Sequence, residues 1–134
     1  MENHKGIEEA FCTYLLHYPK KTRMIEIGIG KNPYIAKKLK EEGYEIRASD
    51  IKEDLPDYGI LFQTDDIFEP DLEFYRDAGL IYSVRPGIEM IPFLIAVAKK
   101  TGAELIVYHL GNEIYERGGE IIECGVILRR YYKP

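Results

Sequence analysis

The sequence predicts an α/β protein built on a doubly wound sheet, with strand order 3-2-1-4-5 and an antiparallel edge strand beyond the fifth. Three observations carry that prediction. Apolar runs of strand length alternate with segments of helical spacing along the chain. The run Met24-Ile25-Glu26-Ile27 breaks into Gly28-Ile29-Gly30, and Asn32-Pro33 then opens a helical segment, which is a strand, a tight turn and a helix start. Gly79-Leu80-Ile81-Tyr82-Ser83-Val84 is apolar almost throughout, as a central strand covered on both faces requires.

The elements follow in order. Residues 3–18 place Ile7, Ala10, Phe11, Tyr14, Leu15 and Tyr18 at intervals of three and four, so an amphipathic helix is expected up to Pro19. Lys20, Lys21 and Arg23 lead into the first strand at 23–27. Ile35, Ala36 and Leu39 give the next helix its buried face, with Asn32 as cap, Pro33 at its first position and Gly43 ending it. A second strand at 44–49 closes on Asp50, completing a βαβ unit with a right-handed crossover. Residues 51–58 are too short and too acidic for a full crossover helix, and a third strand follows at 59–63. A short helix is expected at 70–77 with Leu72 and Tyr75 inward. The central strand comes next, then an apolar helix at 88–100 that tolerates Pro92 only in its first turn. A fifth strand at 103–109, a turn region at 111–119 and a sixth strand at 121–128 complete the sheet. The short connection makes the sixth strand antiparallel to the fifth.

At 134 residues the chain fits one domain, expected to span 1–134, with 46% hydrophobic and 31% charged residues, the balance of a soluble globular protein. The first residues lack the apolar core of a signal peptide and no run is long enough to span a bilayer, so a cytoplasmic location is expected. Cys12 and Cys124 match no metal-ligand spacing and read as small core hydrophobes, so no metal is expected. A net charge of −5 argues against a protein that coats nucleic acid. The topology nevertheless gathers Lys20, Lys21, Arg23, Arg129, Arg130 and Lys133 at the pole away from the strand carboxyl ends, a surface for RNA or an acidic protein or simply a solvated face.

A doubly wound sheet binds ligands beyond the carboxyl ends of its strands, where the strand order reverses. Those ends carry Glu26 with Gly28 and Gly30, then Asp50, then Asp65 and Asp66, then Ser83 and Arg85. Four carboxylates therefore converge on one crevice. A dinucleotide would set an anionic pyrophosphate beside Glu26, and its third fingerprint glycine would fall at Pro33, which has no N–H. S-adenosylmethionine carries a sulfonium and an ammonium and no phosphate, which suits an acidic crevice. Asp50, 22 positions after Gly28, is spaced to grip both ribose hydroxyls.

On these residues the sequence resembles the class I S-adenosylmethionine-dependent methyltransferases, a Rossmann-like superfamily, and within it a small uncharacterised archaeal group. Glu26-Ile27-Gly28-Ile29-Gly30 resembles the first motif, Asp50 the ribose-binding acid, and Asp66-Ile67 the third motif that frames adenine. The resemblance implies Glu26, Gly28, Gly30, Asp50 and Asp66 as cofactor residues. The chain departs from the superfamily at two places. Asn32 replaces the third glycine, and Ser83-Val84-Arg85-Pro86 stands where amino methyltransferases carry an Asn or Asp before two prolines. Arg85 only donates hydrogen bonds, so with Ser83 it is a candidate for holding a substrate or for pairing with a crevice acid, Glu89 being a candidate partner, and no general base is apparent. His109 is read as a structural histidine, and Tyr82 as core. One helix and one strand near the end are missing from the expected fold, a truncated methyltransferase form. The leading function is therefore a methyl transfer to an unknown acceptor, against a non-catalytic binding module on the same fold and, more weakly, an NAD-dependent oxidoreductase.

Overall fold

The computed structural model describes residues 4–134. Seven strands form one sheet in the order β3-β2-β1-β4-β5-β7-β6. They are β1 (Met24–Ile27), β2 (Ile46–Asp50), β3 (Leu61–Thr64), β4 (Leu80–Val84), β5 (Glu104–Tyr108), β6 (Glu120–Glu123) and β7 (Ile127–Tyr132). The first five are mutually parallel, as expected. Beyond β5 the structure corrects the sequence reading. Residues 121–128 do not form one strand, because Gly125 (φ 94°) turns the chain between β6 and β7. β7 is antiparallel to both β5 and β6, so the outermost strand β6 runs with the parallel set. The economy of the fold falls on its helices. Among the described residues there are three α-helices: α1 (His4–Leu15), α2 (Tyr34–Glu41) and α3 (Ile91–Thr101). Residues 51–58 form no helix, and the segment before β4 makes only a short 3-10 turn at Leu72–Tyr75.

Alternation along the strands divides the core in two. Met24, Leu80 and Tyr82 face α1 and α2, packing with Phe11, Leu15, Ile35 and Leu39. Ile25, Ile27, Ile81 and Leu105 face the other layer, with Tyr75, Leu94 and Val97. In the 3-10 turn Phe74 and Tyr75 are buried while Leu72 is exposed, so of the two residues expected inward Tyr75 is buried and Leu72 is not. α2 starts one residue later than expected, at Tyr34, although the Asn32 side chain still accepts from the Tyr34 N–H. Pro92 sits in the first turn of α3, and Gly102 (φ 75°) closes it with a left-handed cap. Cys12 is a core residue whose thiol burial pushes up to about 11.

The buried stripe of α1 is rotated from the expected one. Phe11, Cys12 and Leu15 are buried, whereas Ile7, Ala10 and Tyr14 are only partly so. The rotation brings Glu8 inward, 2% exposed. At the opposite pole, the basic surface is also altered. Arg23 pairs with Glu45 and Asp77, and Arg130 with Glu104 and Glu120. Arg129 lies opposite Val107, toward the crevice end, because the strand that pairs with β5 begins later than the expected 121–128 and Arg129 falls near its start.

Candidate functional site

The crevice opens where the strand order reverses, between β1 and β4. Gly28 (φ 82°) and Gly30 (φ 53°) both adopt left-handed backbone, which is why the turn needs glycine at these positions. The Gly28 and Ile29 N–H groups donate to the Ser49 carbonyl at 2.8 and 3.2 Å. Gly30 N–H donates to Asp50 Oδ2 at 2.8 Å, Lys52 N–H donates to Asp50 Oδ1 at 2.9 Å, and the Tyr58 hydroxyl donates to the Gly30 carbonyl at 2.8 Å. Asp50 is thus lashed to the turn by one bond per oxygen. A carboxylate accepts about four hydrogen bonds, so capacity for two further donors is left.

Two adjoining chambers share Gly28, Val84 and Arg85. The larger, about 230 Å³, is lined by Asp50, Asp66, Ile67 and Ser83 among others. Asp65 also borders it, but its oxygens accept from Asp71 N–H (2.9 Å) and Tyr75 hydroxyl (2.5 Å), so it braces the loop. Asp66 commits one oxygen, to Phe68 N–H at 2.9 Å. Ser83 donates its hydroxyl to the Ile27 carbonyl at 2.7 Å and is 1% exposed, tying β4 to the end of β1.

The smaller chamber, about 80 Å³, holds Glu26, and the sequence reading had not placed Glu8 beside it. Glu26 accepts from the Tyr82 hydroxyl at 2.9 Å. Burial pushes its carboxyl up to about 8; the Tyr82 bond opposes the shift, and the nearby Glu8 and Asp50 charges add to it. Glu8 Oε2 accepts from Asn32 Nδ2 at 2.9 Å and Arg85 Nη1 at 3.1 Å. Glu8 Oε1 is buried with no hydrogen-bond partner among the described residues. The signal for Glu8 was present in the sequence: it lies three, four and seven residues before Phe11, Cys12 and Leu15, a lone charge on an apolar stripe.

Arg85 is the hinge between the chambers. Its φ of 53° is a left-handed conformation in a non-glycine residue, held by its N–H donating to the Tyr108 carbonyl at 2.7 Å. Its guanidinium lies 5.3 Å from the Tyr108 ring centroid as well as reaching Glu8. Among the described residues, the acid it pairs with is contributed by α1. His109 lies outside both chambers, 8% exposed, with Nε2 2.5 Å from the Tyr131 hydroxyl; burial first, and then Arg129, lowers its pKa.

Comparison with solved structures shows the fold. A Mesorhizobium loti S-adenosylmethionine-dependent methyltransferase superposes with a TM-score of 0.52 at 14% identity, over 90% of this chain and 73% of that one. A Haemonchus contortus N-methyltransferase, solved with phosphomonomethylethanolamine and S-adenosylhomocysteine, gives 0.53 at 16% identity over 74% of this chain, which spans 27% of that enzyme. Among sequences, a Pyrococcus furiosus protein is 34% identical over 125 residues, covering 87% of this chain and 91% of the relative. An Archaeoglobus fulgidus protein is 34% identical over 94 residues, covering 70% and 72%. Both are named UPF0146 proteins, and the model of the uncharacterised protein family UPF0146 matches residues 9–123, from within α1 to the end of β6. On that span, which contains the glycine turn, Asp50, Asp66 and Arg85, the chain belongs to the UPF0146 family.

Proposed function

We propose that the protein binds S-adenosylmethionine in the crevice between β1 and β4 and presents its methyl group to an acceptor. The observation that carries this reading is the lining: Arg85 apart, the ionisable side chains bordering the two chambers are carboxylates, namely Asp50, Asp65, Asp66, Glu8 and Glu26. Such a lining attracts a sulfonium and an ammonium and repels a pyrophosphate. The buried Glu8 Oε1, which has no donor among the described residues, fits a cationic ligand. The likeness of the fold to two methyltransferases supports the same reading.

In this reading Asp50 takes the paired ribose hydroxyls with its two remaining acceptor positions. Asp66 and Ile67 frame the adenine, and Gly28 lets the ligand approach the backbone. The cofactor supplies an electrophilic methyl group on sulfur. The chain's own contribution to a transfer is alignment and exclusion of water, which needs no strong base. A second reading, a binding module without catalysis, is favoured by Ser83 and Arg85. Ser83 is 1% exposed with its proton directed at Ile27, and Arg85 carries donors only, so neither is a base for a substrate proton.

Calorimetric titration with S-adenosylmethionine, S-adenosylhomocysteine and NAD separates these readings. Micromolar binding of the first two, weakened about tenfold or more in Asp50→Ala, is expected from the loss of charged hydrogen bonds to the ribose. Binding of NAD alone, or of none of the three, would sink the proposal. Labelled S-adenosylmethionine incubated with cell extract then distinguishes an enzyme from a binding module.

A further inference from the structure

We propose that the open edge of β3 pairs antiparallel with β3 of a second copy of this chain, giving one continuous sheet across a two-fold axis beside Phe62. This contact lies apart from the crevice and does not depend on its ligand. β3 and β6 are the outer strands of the sheet, and they are protected unequally. β6 begins and ends on glutamates, Glu120 and Glu123, and charge on an edge strand discourages pairing. β3 with the two residues before it reads Gly59-Ile60-Leu61-Phe62-Gln63-Thr64, with no charge and no proline, and Leu61 is 61% exposed. Because residues 51–58 form no helix, a chamber of about 340 Å³ stays open against this strand, lined by Leu55, Pro56, Tyr58, Leu61 and Phe62 among others.

The register follows from the backbone groups still open. Asp65 N–H donates to the Asp50 carbonyl at 2.9 Å, and Asp50 is the ladder partner of Thr64. Odd-numbered residues of β3 therefore direct their N–H and C=O groups at β2, and alternation turns those of Ile60, Phe62 and Thr64 outward. An isologous pair of sheet edges has its two-fold axis perpendicular to the sheet, so like faces stay together. Setting Phe62 opposite Phe62 of the second copy then puts Ile60 opposite its Thr64, and every outward group enters an exchanged N–H···O=C pair. Sliding by two residues carries one of these groups past the end of the strand. Phe62 shares a face with its ladder neighbour Ala48, which is in the core under α1 and α2. The two Phe62 rings thus meet across the strands, and the two open chambers close toward each other. The same register sets Asp65 opposite Gly59 of the second copy. The Gly59 carbonyl accepts from Lys40 Nζ, which brings a cation beside the acidic end formed by Asp65 and Asp66. Asp57, at the Gly59 end, already accepts from the Gly59 N–H at 2.8 Å.

The test is sedimentation velocity on the full chain from low micromolar to near-millimolar concentration, with amide hydrogen exchange followed over the same range. A contact this short is expected to give a dimer with a dissociation constant on the order of 10 μM. The Phe62 and Thr64 amides should exchange about tenfold more slowly on the dimer side of the transition, while the Gln63 amide, already turned to β2, changes little. Thr64→Pro removes an outward donor at an edge that accepts proline, and Leu61→Lys adds a charge to the exposed strand. Each should raise the dissociation constant about tenfold or more and leave the denaturant midpoint of the monomer unchanged. If either variant fails to fold, the wild-type amides decide. A monomer throughout the range would overturn the proposal, and so would a dimer in which the Ile121 and Ile122 amides of β6 are the ones protected. Phe62 and Thr64 amides that slow only when an extended peptide of unrelated sequence is added would mark an edge kept for another protein, and would overturn it equally.

Discussion

Glutamates are buried at both poles of this sheet, and they are treated differently. Glu104, the first residue of β5, is 8% exposed and accepts from the Tyr18 hydroxyl at 2.7 Å and Arg130 Nε at 2.5 Å. Arg130 is completed by Glu120 (2.6 Å) and the Tyr14 hydroxyl (3.0 Å), so α1, β5, β6 and β7 are knitted together by one network. At the crevice pole, Glu8 keeps one buried oxygen without a donor among the described residues, and Glu26 is held by a tyrosine while its carboxyl is pushed up to about 8. Both Glu104 and Glu8 take their two donors on Oε2; they differ at Oε1, which among the described residues is buried without a partner in Glu8 and not in Glu104. A buried oxygen left so beside a cavity is poised for something that arrives.

The comparison can be broken most sharply at Arg130. Arg130→Met removes the partner and leaves Glu104 buried beside a tyrosine, and a loss of about 4 kcal/mol is expected, read as a fall in the denaturant midpoint. A loss below about 1 kcal/mol would mean that this network is no more architectural than a surface pair.

The next largest effect concerns Glu26 and pH. Its carboxyl is raised in the folded state, so between pH 4.5 and about 8 the native protein keeps a proton that the unfolded chain has released. The stability it contributes is complete below pH 4.5, declines as pH rises through this window, and is gone above about 8. The Tyr82 hydroxyl facing it is pushed up and does not titrate there, while Glu8, Asp50 and the Arg85 guanidinium complete its charged surroundings. Wild type minus Glu26→Gln should therefore show a decline on the order of 3 kcal/mol from pH 4.5 to 8 in ligand-free protein. Parallel pH profiles for the two proteins would place Glu26 with Glu104, as architecture.

The smallest effect is at Gly28. An added Cβ would lie 3.9 Å from Ser83 Oγ, an ordinary contact, so room is not the obstacle. The left-handed backbone is, and Gly28→Ala should cost about 1–2 kcal/mol in thermal or denaturant unfolding. It should also weaken ligand binding, since the methyl group would stand where the two chambers meet.

Much of the framework was legible from local pattern. The βαβ unit from Met24 to Asp50, the glycine turn, the Gly102 cap and the parallel order of the first five strands follow from periodicity and turn chemistry, which act over a few residues. The positions of Asp50 and Asp66 at the crevice follow in the same way, because strand ends in a doubly wound sheet share one edge. Where local signals were nearly balanced, the reading slipped. A single glycine, Gly125, split the expected sixth strand, and the buried stripe of α1 lay one position around from the most apolar choice.

The sequence by itself determined the five parallel strands of the sheet, their switch point and the acidic rim, since each is written in short-range spacing. Only the tertiary structure decided that Glu8 joins the crevice. It meets Asn32 and Arg85, 24 and 77 residues away, because α1 packs against α2 and across the end of β4. The same long-range packing set Arg130 against Glu104 and left Glu8 Oε1 buried with no partner among the described residues. Residue type tells which groups bear charge, but whether a buried charge is satisfied depends on what the fold brings within about 3 Å of it, and no local pattern records that distance.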